Sequence, residues 1–233
     1  VGVVDIDDTN GTKAAHDFQV PHFRELDGLL AAGIDAASVV VPTTLHHEFA
    51  LRLLDAGVDL MVEKPIAQSV EKAAEMVAAA KAAGRILQVG HIERFNPVLR
   101  VLEERLTHPR FIEAHRLSPY PGRSTDIGVV LDLMIHDLEV ILHLVRSPIQ
   151  SIDAVGVAVL SQGEDIANAR IRFENGCVAN ITTSRISPEK MRKIRIFQED
   201  TYISLDYQNQ SGEIYRKVKS QILRERVPLE KEE

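Results

Sequence analysis

Short apolar runs alternate with amphipathic segments through the first part of the chain, and this alternation restricts the fold more than any other feature. The apolar runs predict strands at 1–6, 37–41, 58–62 and 86–89, with helix-type segments between them. Strands that alternate with helices are typical of a parallel, doubly wound sheet of the Rossmann type. Because the chain opens directly on an apolar run and not on Met, we expect the first strand and its glycine-rich loop to lie upstream.

The second half of the sequence changes to a long helix followed by a series of strands. The helix is predicted at 129–145, and the strands at 151–160, 167–173, 178–184, 193–198, 202–207 and 213–218. Glu174-Asn175-Gly176 separates two of these strands as a hairpin turn would. We therefore predict an α/β protein with a Rossmann-like dinucleotide-binding domain at 1–95. An α/β domain with a large, mostly antiparallel open sheet is expected at 96–233, truncated at its C-terminal end.

Charge and composition exclude several classes of partner. The chain has 27 Lys and Arg against 34 Asp and Glu, a formal net charge of −7, and no basic cluster, so we expect no nucleic-acid partner. No apolar run is long enough to span a bilayer, so no membrane partner is expected either. Cys177 is the one cysteine, which leaves no intrachain disulfide and fits a cytoplasmic location.

The Glu63-Lys64-Pro65 motif directly follows the predicted strand at 58–62. Ligands bind at the carboxyl ends of strands in open α/β sheets, and Pro65 keeps Lys64 out of the helical region. A lysine held there can place its ammonium over a reacting oxygen. A surface turn with an exposed ion pair is the alternative interpretation.

Two further segments are candidates for binding a dinucleotide. Asp5 ends the first visible strand, where an acid can accept hydrogen bonds from ribose hydroxyls or, alternatively, cap the next helix. Its charge repels a ribose phosphate, which favours NAD over NADP, although Lys13 leaves NADP possible. Pro42-Thr43-Thr44-Leu45-His46 joins a strand to a helix, where threonine is a good cap and free amides suit a phosphate or ribose.

The predicted long helix carries a polar stripe that consists of Asp132, His136, Glu139 and His143. Asp132 and His136 are four residues apart and should share a face, so that the carboxylate can orient the imidazole as a proton shuttle. The alternatives are a metal site formed by all four side chains and structural polarity satisfied by hydrogen bonds.

A third group of candidates could hold the substrate. His91-Ile92-Glu93-Arg94-Phe95-Asn96-Pro97 follows the last strand of the predicted first domain, and Arg123 lies in a loop rich in Pro and Gly. The forked donors of Arg94 and Arg123 suit an anionic group. A salt bridge is the alternative for either arginine.

Three motifs in this order and spacing resemble the glucose–fructose oxidoreductase/inositol dehydrogenase (Gfo/Idh/MocA) family. They are Pro42-Thr43-Thr44-Leu45-His46, Glu63-Lys64-Pro65, and the segment from Gly128 to His136. The resemblance implies a nicotinamide cofactor, NAD or NADP, that exchanges a hydride with a sugar or polyol carbon. It implies catalytic roles for Lys64, Asp132 and His136. No metal is expected, because zinc sites usually show tighter spacing of their ligands than the polar stripe does.

The same resemblance carries several finer expectations. It adds Glu63 and Lys64 to the cofactor-binding residues, and His91, Arg94, Asn96 and Arg123 as substrate-binding residues. The segments around His91 and Arg123 are most similar to family members that oxidise C3 of UDP-N-acetylglucosamine. A homodimer or homotetramer and a cis Lys64–Pro65 bond are also expected. A non-catalytic regulator that binds NAD or a nucleotide sugar is the alternative function.

Overall fold

The structure of the chain is a computed structural model that describes residues 1–120 and 127–227. The chain divides into two compact units, Val1–Gly90 and His91–Glu233, and each unit has its own hydrophobic core. No helix in the described ranges is both long and apolar enough to cross a membrane.

The first unit alternates strands with helices, as the sequence predicts. Helices α1 to α4 span Asp8–Phe18, Leu26–Ala31, Thr43–Asp55 and Val70–Ala83. Strands β1 to β5 span Val3–Val4, His22–Phe23, Ala36–Val39, Asp59–Val62 and Leu87–Val89. All strand pairs are parallel, in the orders β1-β2 and β3-β4-β5. The Rossmann-type class predicted for this part is confirmed.

Local signals explain where α4 begins and ends. Ser69 caps the helix, because its hydroxyl accepts a hydrogen bond from Lys72 N at 3.4 Å. Gly84 follows the last turn at φ +62°, a conformation that glycine adopts without strain. The core that α3 and α4 form with the sheet consists of apolar side chains, among them Leu53, Leu54, Met76, Val39, Leu60 and Val62.

The second unit is built on one eight-stranded sheet. Strands β6 to β13 span Phe111–Leu117, Ile149–Val157, Ile166–Phe173, Val178–Ser184, Met191–Gln198, Thr201–Asp206, Ser211–Val218 and Gln221–Val227. Their order is β13-β12-β11-β10-β6-β9-β8-β7, and only the β6–β9 pair is parallel. The large, mostly antiparallel sheet predicted for this half is confirmed, as is the hairpin turn at Glu174-Asn175-Gly176, where Gly176 has φ +86°.

The helices of this unit are a 3₁₀ turn at Ile92–Phe95, α5 at Pro97–Arg105, a π-helix at Val130–Met134 and α6 at Ile135–Val145. Side chains of α6 such as Ile141 pack on inward-facing strand residues such as Ile112 and Ile181. The opposite face of the sheet carries a row of aromatic rings at Phe111, Phe197, Tyr202 and Tyr215. One face is therefore the core and the other is open.

Two expectations for this unit differ from the structure. The long helix predicted at 129–145 is not a single α-helix, because Val130–Met134 is a π-helix. Strand β13 was not predicted, although it pairs with β12 over its whole length. The C-terminal residues 228–233 lie outside the described residues.

Candidate functional site

The Glu63-Lys64-Pro65 motif lies at the carboxyl edge of the β3-β4-β5 sheet, as predicted. Glu63 N donates to Val39 O at 3.0 Å, and Gly90 N donates to Val62 O at 2.8 Å. The ends of three neighbouring strands are thus bonded to each other at this edge. Lys64 is half-buried, and the Lys64–Pro65 peptide bond is cis, as the resemblance implied.

Glu63 is held against the end of β5. Its Oε2 accepts a hydrogen bond from Lys64 N at 3.2 Å. A Cβ atom added to Gly90 would lie 3.1 Å from Glu63 Oε1, so the missing side chain of Gly90 leaves the room that the carboxylate occupies. These contacts shape the turn that presents Lys64.

His46 fastens the same turn to the end of β3. Its side chain is buried, with 1% exposed. The ring Nδ1 lies 2.9 Å from Pro65 O, and Nε2 lies 2.8 Å from Val41 O. Because both ring nitrogens face protein carbonyls, we assign His46 a role in positioning the turn that bears Lys64, and its predicted contact with the cofactor stays a prediction.

We expect His46→Ala to lower the thermal stability of the first unit much more than His47→Ala. The first change removes the ring N–H that one of these two carbonyl oxygens accepts, at a cost of about 1–3 kcal/mol for a buried group. His47 bonds Glu75, which is 62% exposed, and such pairs contribute about 1 kcal/mol or less. Thermal unfolding followed by circular dichroism measures both; equal losses would contradict the role given to His46.

The segment Pro42-Thr43-Thr44 forms the start of α3, but not as predicted. The helix begins at Thr43 with Pro42 as its N-cap residue, and no side chain caps it. The expectation of a threonine cap is therefore wrong, because proline already occupies the capping position. Pro42 and Thr44 are exposed and Thr43 is half-buried, at the same sheet edge as the end of β3.

Asp5 lies directly after β1 and is half-buried. Its Oδ1 accepts a hydrogen bond from Asp7 N at 2.8 Å, and its carbonyl oxygen lies 2.9 Å from His22 Nε2. Asp7, and not Asp5, caps α1, because its Oδ1 accepts from Thr9 N at 2.8 Å. The alternative interpretation of Asp5 as the helix cap is therefore wrong.

Asp132 and His136 lie on either side of the junction between the π-helix and α6. Asp132 is inside the π-helix Val130–Met134, and His136 is in the first turn of α6. Both side chains are half-buried. A π-helix has a wider turn than an α-helix and occurs frequently at functional sites. The direction of Asp132 is therefore set by this local geometry and not by the 3.6-residue period.

The lower part of the polar stripe makes contacts within the protein. Arg94 Nη2 donates to His143 Nδ1 at 3.0 Å, and Arg94 Nε lies 3.7 Å from Glu139 Oε1. His143 Nε2 bonds Glu103, which lowers the pKa of that carboxyl. These contacts of Glu139 and His143 agree with the alternative interpretation, in which the stripe is structural polarity satisfied by hydrogen bonds. Within 1–120 and 127–227 there is no group of three or more His, Cys, Asp or Glu that could hold a metal.

Three of the four predicted substrate-binding residues lie in the described part of the chain. His91 precedes the 3₁₀ turn, and its buried Nδ1 has no hydrogen-bond partner among the described residues. Arg94, with 52% of its side chain exposed, contacts α6 as described, and Asn96 follows the turn. Arg123 lies outside the described residues.

A buried ion pair between Arg116 and Asp137 was missed by the sequence reasoning. Arg116 Nε and Nη2 donate to the two Asp137 carboxylate oxygens at 2.8 and 3.1 Å, and each side chain is 4% exposed. Glu93 lies 3.5 Å from Arg116 Nη1. Although burial opposes it, these carboxylates raise the pKa of Arg116. The pair joins β6, α6 and the 3₁₀ turn.

We expect Asp137→Ala to lower the free energy of unfolding of the second unit by about 3–5 kcal/mol, because it removes both hydrogen bonds that the buried Arg116 donates to Asp137 and leaves that charge with the longer Glu93 contact. Glu113→Ala on the same strand as Arg116 is the matched control. Its pair with Arg195 is 30% and 44% exposed, so about 1 kcal/mol or less is expected. Urea unfolding measures both, and an Asp137 loss no larger than the Glu113 loss would contradict the prediction.

Both units match models of known protein families. Residues 1–91 match the family described as "Oxidoreductase family, NAD-binding Rossmann fold". Residues 100–204 match the "GFO/IDH/MocA C-terminal domain".

Individual relatives agree with the family matches. UDP-N-acetylglucosamine 3-dehydrogenase from Acidithiobacillus ferrooxidans is 37% identical over 93% of this chain and 69% of its own length. A solved structure of that enzyme covers 100% of this chain and 76% of its own chain, with TM-score 0.91 and 36% identity. The scyllo-inositol 2-dehydrogenase (NAD(+)) of Bacillus subtilis is 27% identical over 67% of this chain, which spans half of that relative.

Proposed function

Because the chain belongs to the Gfo/Idh/MocA oxidoreductase family, we propose that its protein oxidises a secondary alcohol of a nucleotide sugar with NAD. The substrate we propose is UDP-N-acetylglucosamine, oxidised at C3. The observation that carries this proposal is the 37% identity over 93% of the chain with a UDP-N-acetylglucosamine 3-dehydrogenase. The domain at 1–95 would bind the cofactor, and the domain at 96–233 would bind the substrate.

The residues at the strand ends of the first unit fit a dinucleotide. Asp5, half-buried after β1, can accept hydrogen bonds from ribose hydroxyls and would repel a ribose phosphate, which favours NAD over NADP. Pro42, Thr43 and Thr44 bring the uncapped start of α3 to the edge where Glu63 turns, and amides at a helix start suit phosphate or ribose oxygens. When bound, the nicotinamide would supply the hydride acceptor.

Proton transfer is the task of this chain's own side chains. We assign His136 the role of general base for the substrate hydroxyl, with Asp132 as the carboxylate that orients it. Lys64 would stabilise the developing alkoxide with its ammonium. The half-buried setting of all three side chains supports these roles, because electrostatic interactions are stronger where water is partly excluded.

Recognition of the sugar nucleotide is assigned to His91, Arg94, Asn96 and Arg123. His91 stands directly before the 3₁₀ turn, and its buried Nδ1 has no hydrogen-bond partner among the described residues. Arg94 already contacts Glu139 and His143, so a substrate anion would have to compete for its guanidinium. A homodimer or homotetramer and a cytoplasmic location are further parts of the proposal.

A substrate screen with the full-length protein tests the function. We expect NADH formation, followed at its absorbance band, with UDP-N-acetylglucosamine and little with inositols or free sugars. NADP should replace NAD poorly. Binding of NAD or UDP-sugar without any turnover would favour the non-catalytic regulator, and turnover only with inositols would replace the proposed substrate.

A further inference from the structure

The loop between β7 and β8 holds the start of the helix that bears Asp132 and His136. Val129 N donates to the backbone oxygen of Glu164 at 2.8 Å, and Val130 N donates to Glu164 Oε1 at 3.2 Å. The first amides of a helix have no partner inside the helix. A single residue that is remote in sequence therefore satisfies two of them, and its carboxylate also suits the positive end of the helix dipole.

Gly128 lets this carboxylate approach. A Cβ atom added to Gly128 would lie 1.9 Å from Glu164 Oε1 and 2.1 Å from its Cδ, far inside any contact distance. Gly128 also stands one helical turn before Asp132, whose N donates to Gly128 O at 3.1 Å. Glu164 thus packs directly on the backbone that supports Asp132.

A buried ion pair holds the residue before Gly128. Arg185 Nη1 donates to Ile127 O at 2.8 Å, and Arg185 Nε donates to Asp165 Oδ1 at 2.8 Å. Both charged side chains are 0% exposed. Arg185 therefore connects the start of the helix to the residue that follows Glu164.

Asp165 is fixed in turn by its own loop. Its Oδ2 accepts hydrogen bonds from Val159, Leu160 and Ser161 N at 2.8, 2.6 and 2.9 Å. Although burial acts in the opposite direction, the bonds from the Ser161 hydroxyl, these amides and Arg185 hold the pKa of Asp165 well below its usual range. The carboxylate is therefore ionised and accepts hydrogen bonds on both of its oxygens.

Stabilisation of the fold does not by itself explain the buried Arg185–Asp165 pair and its hydrogen bonds. Buried ion pairs are often no more stabilising than apolar side chains of the same volume, and in some proteins their role is instead to specify one geometry. Here the contacts converge on Ile127, Val129 and Val130, which shortly precede Asp132 in the sequence. The geometry they impose is that of the helix start.

We propose that Glu164, with Asp165 and Arg185 behind it, is a positioning residue that sets the orientation of Asp132 and His136 without touching the substrate. This inference rests on the proposed function, in which Asp132 and His136 transfer the proton. It assigns a role in turnover to the β7–β8 loop, which carries none of the residues predicted from the sequence motifs.

Glu164→Ala, Glu164→Gln and Glu174→Ala in the full-length protein test the proposal. We expect Glu164→Ala to lower kcat about 10- to 100-fold, because a shift of about 1 Å in a catalytic group can cost about 100-fold. KM for NAD should stay within about threefold.

Glu164→Gln keeps an oxygen that accepts from Val130 N, so it should retain kcat within about threefold. Glu174→Ala, at an exposed hairpin turn, should behave as wild type.

Gly128→Ala tests the same contact between Gly128 and the Glu164 carboxylate by changing Gly128 instead of Glu164. Its methyl group would displace the Glu164 carboxylate, so we expect a loss of kcat similar to that of Glu164→Ala. The double variant Gly128→Ala/Glu164→Ala removes the clash, so its loss should be much smaller than the product of the two single losses. If Glu164→Ala does not fold, Glu164→Asp takes its place in the test. The aspartate side chain has one methylene fewer and would not reach Val130 N.

The possible outcomes separate this inference from the proposed function. A wild-type protein without turnover overturns both. An active wild type with unchanged kcat in Glu164→Ala overturns the inference alone. Two further results also overturn the inference. One is a kcat loss in Glu164→Ala that equals the fraction of protein unfolded in the thermal unfolding measurement. The other is a loss in Glu164→Gln as large as in Glu164→Ala, because neither loss depends on the orientation of the helix.

Discussion

Lys64→Met is expected to lower kcat by about 10²- to 10³-fold, the effect of removing one preorganised charge that stabilises an oxyanion. Lys64 follows a strand end that is bonded to its neighbours through Glu63 and Gly90, so its position does not depend on a mobile loop. Methionine keeps the length of the side chain and removes the ammonium. The measurement is NADH formation at saturating UDP-N-acetylglucosamine, together with NADH binding followed by fluorescence.

Lys72→Met is the matched control for Lys64→Met. Lys72 is half-buried in the first turn of α4, where its Nζ is 3.4 Å from Gln68 Oε1, and its loss should leave kcat unchanged. NADH affinity should be retained in both variants. A Lys64→Met enzyme with near-normal kcat would remove Lys64 from the mechanism, and a variant that no longer binds NADH would make Lys64 a cofactor contact.

His136→Asn is expected to lower kcat by about 10²- to 10⁴-fold, the range for loss of a general base. Asparagine preserves much of the polar shape of the ring but cannot accept the hydroxyl proton at neutral pH. Steady-state kinetics and NADH binding again separate chemistry from cofactor affinity. Because His136 lies in the second unit, its effect on NADH affinity should be small.

His143→Asn provides the control on the same helix. His143 bonds Glu103 and Arg94, so its replacement should alter stability more than kcat. Equal kcat losses at His136 and His143 would show that the whole polar stripe acts as one unit. A His136→Asn enzyme with normal turnover would leave Lys64 as the base.

The edge that carries Lys64 could be predicted because its signals are local. A short apolar strand, Pro65 directly after Lys64, and the Ser69 cap of the next helix all act through residues that are close in sequence. The alternating buried pattern of β8 and the Gly176 turn are local in the same sense. Periodicity and turn chemistry are sufficient for such elements.

The buried charges could be anticipated only in part. Arg116 shares the inward face of β6 with Ile112 and Ala114, so the alternation alone places a charge in the core. Its partner, Asp137, directly follows His136 in the sequence and is not part of the polar stripe that the helical period predicts. Nothing local to either residue indicates that they meet, since they belong to different elements.

The sequence by itself determined the α/β class, the parallel and antiparallel halves, and the strand end at which Lys64 stands. Tertiary structure alone decided that Val130–Met134 is a π-helix, that the ring nitrogens of His46 face two backbone carbonyls, and that Glu164, Asp165 and Arg185 hold the start of that helix. The physical reason is the range of the interactions. Strand and helix patterns follow from neighbours in sequence, whereas a buried charge or an uncapped amide finds its partner wherever the fold brings one within hydrogen-bonding distance.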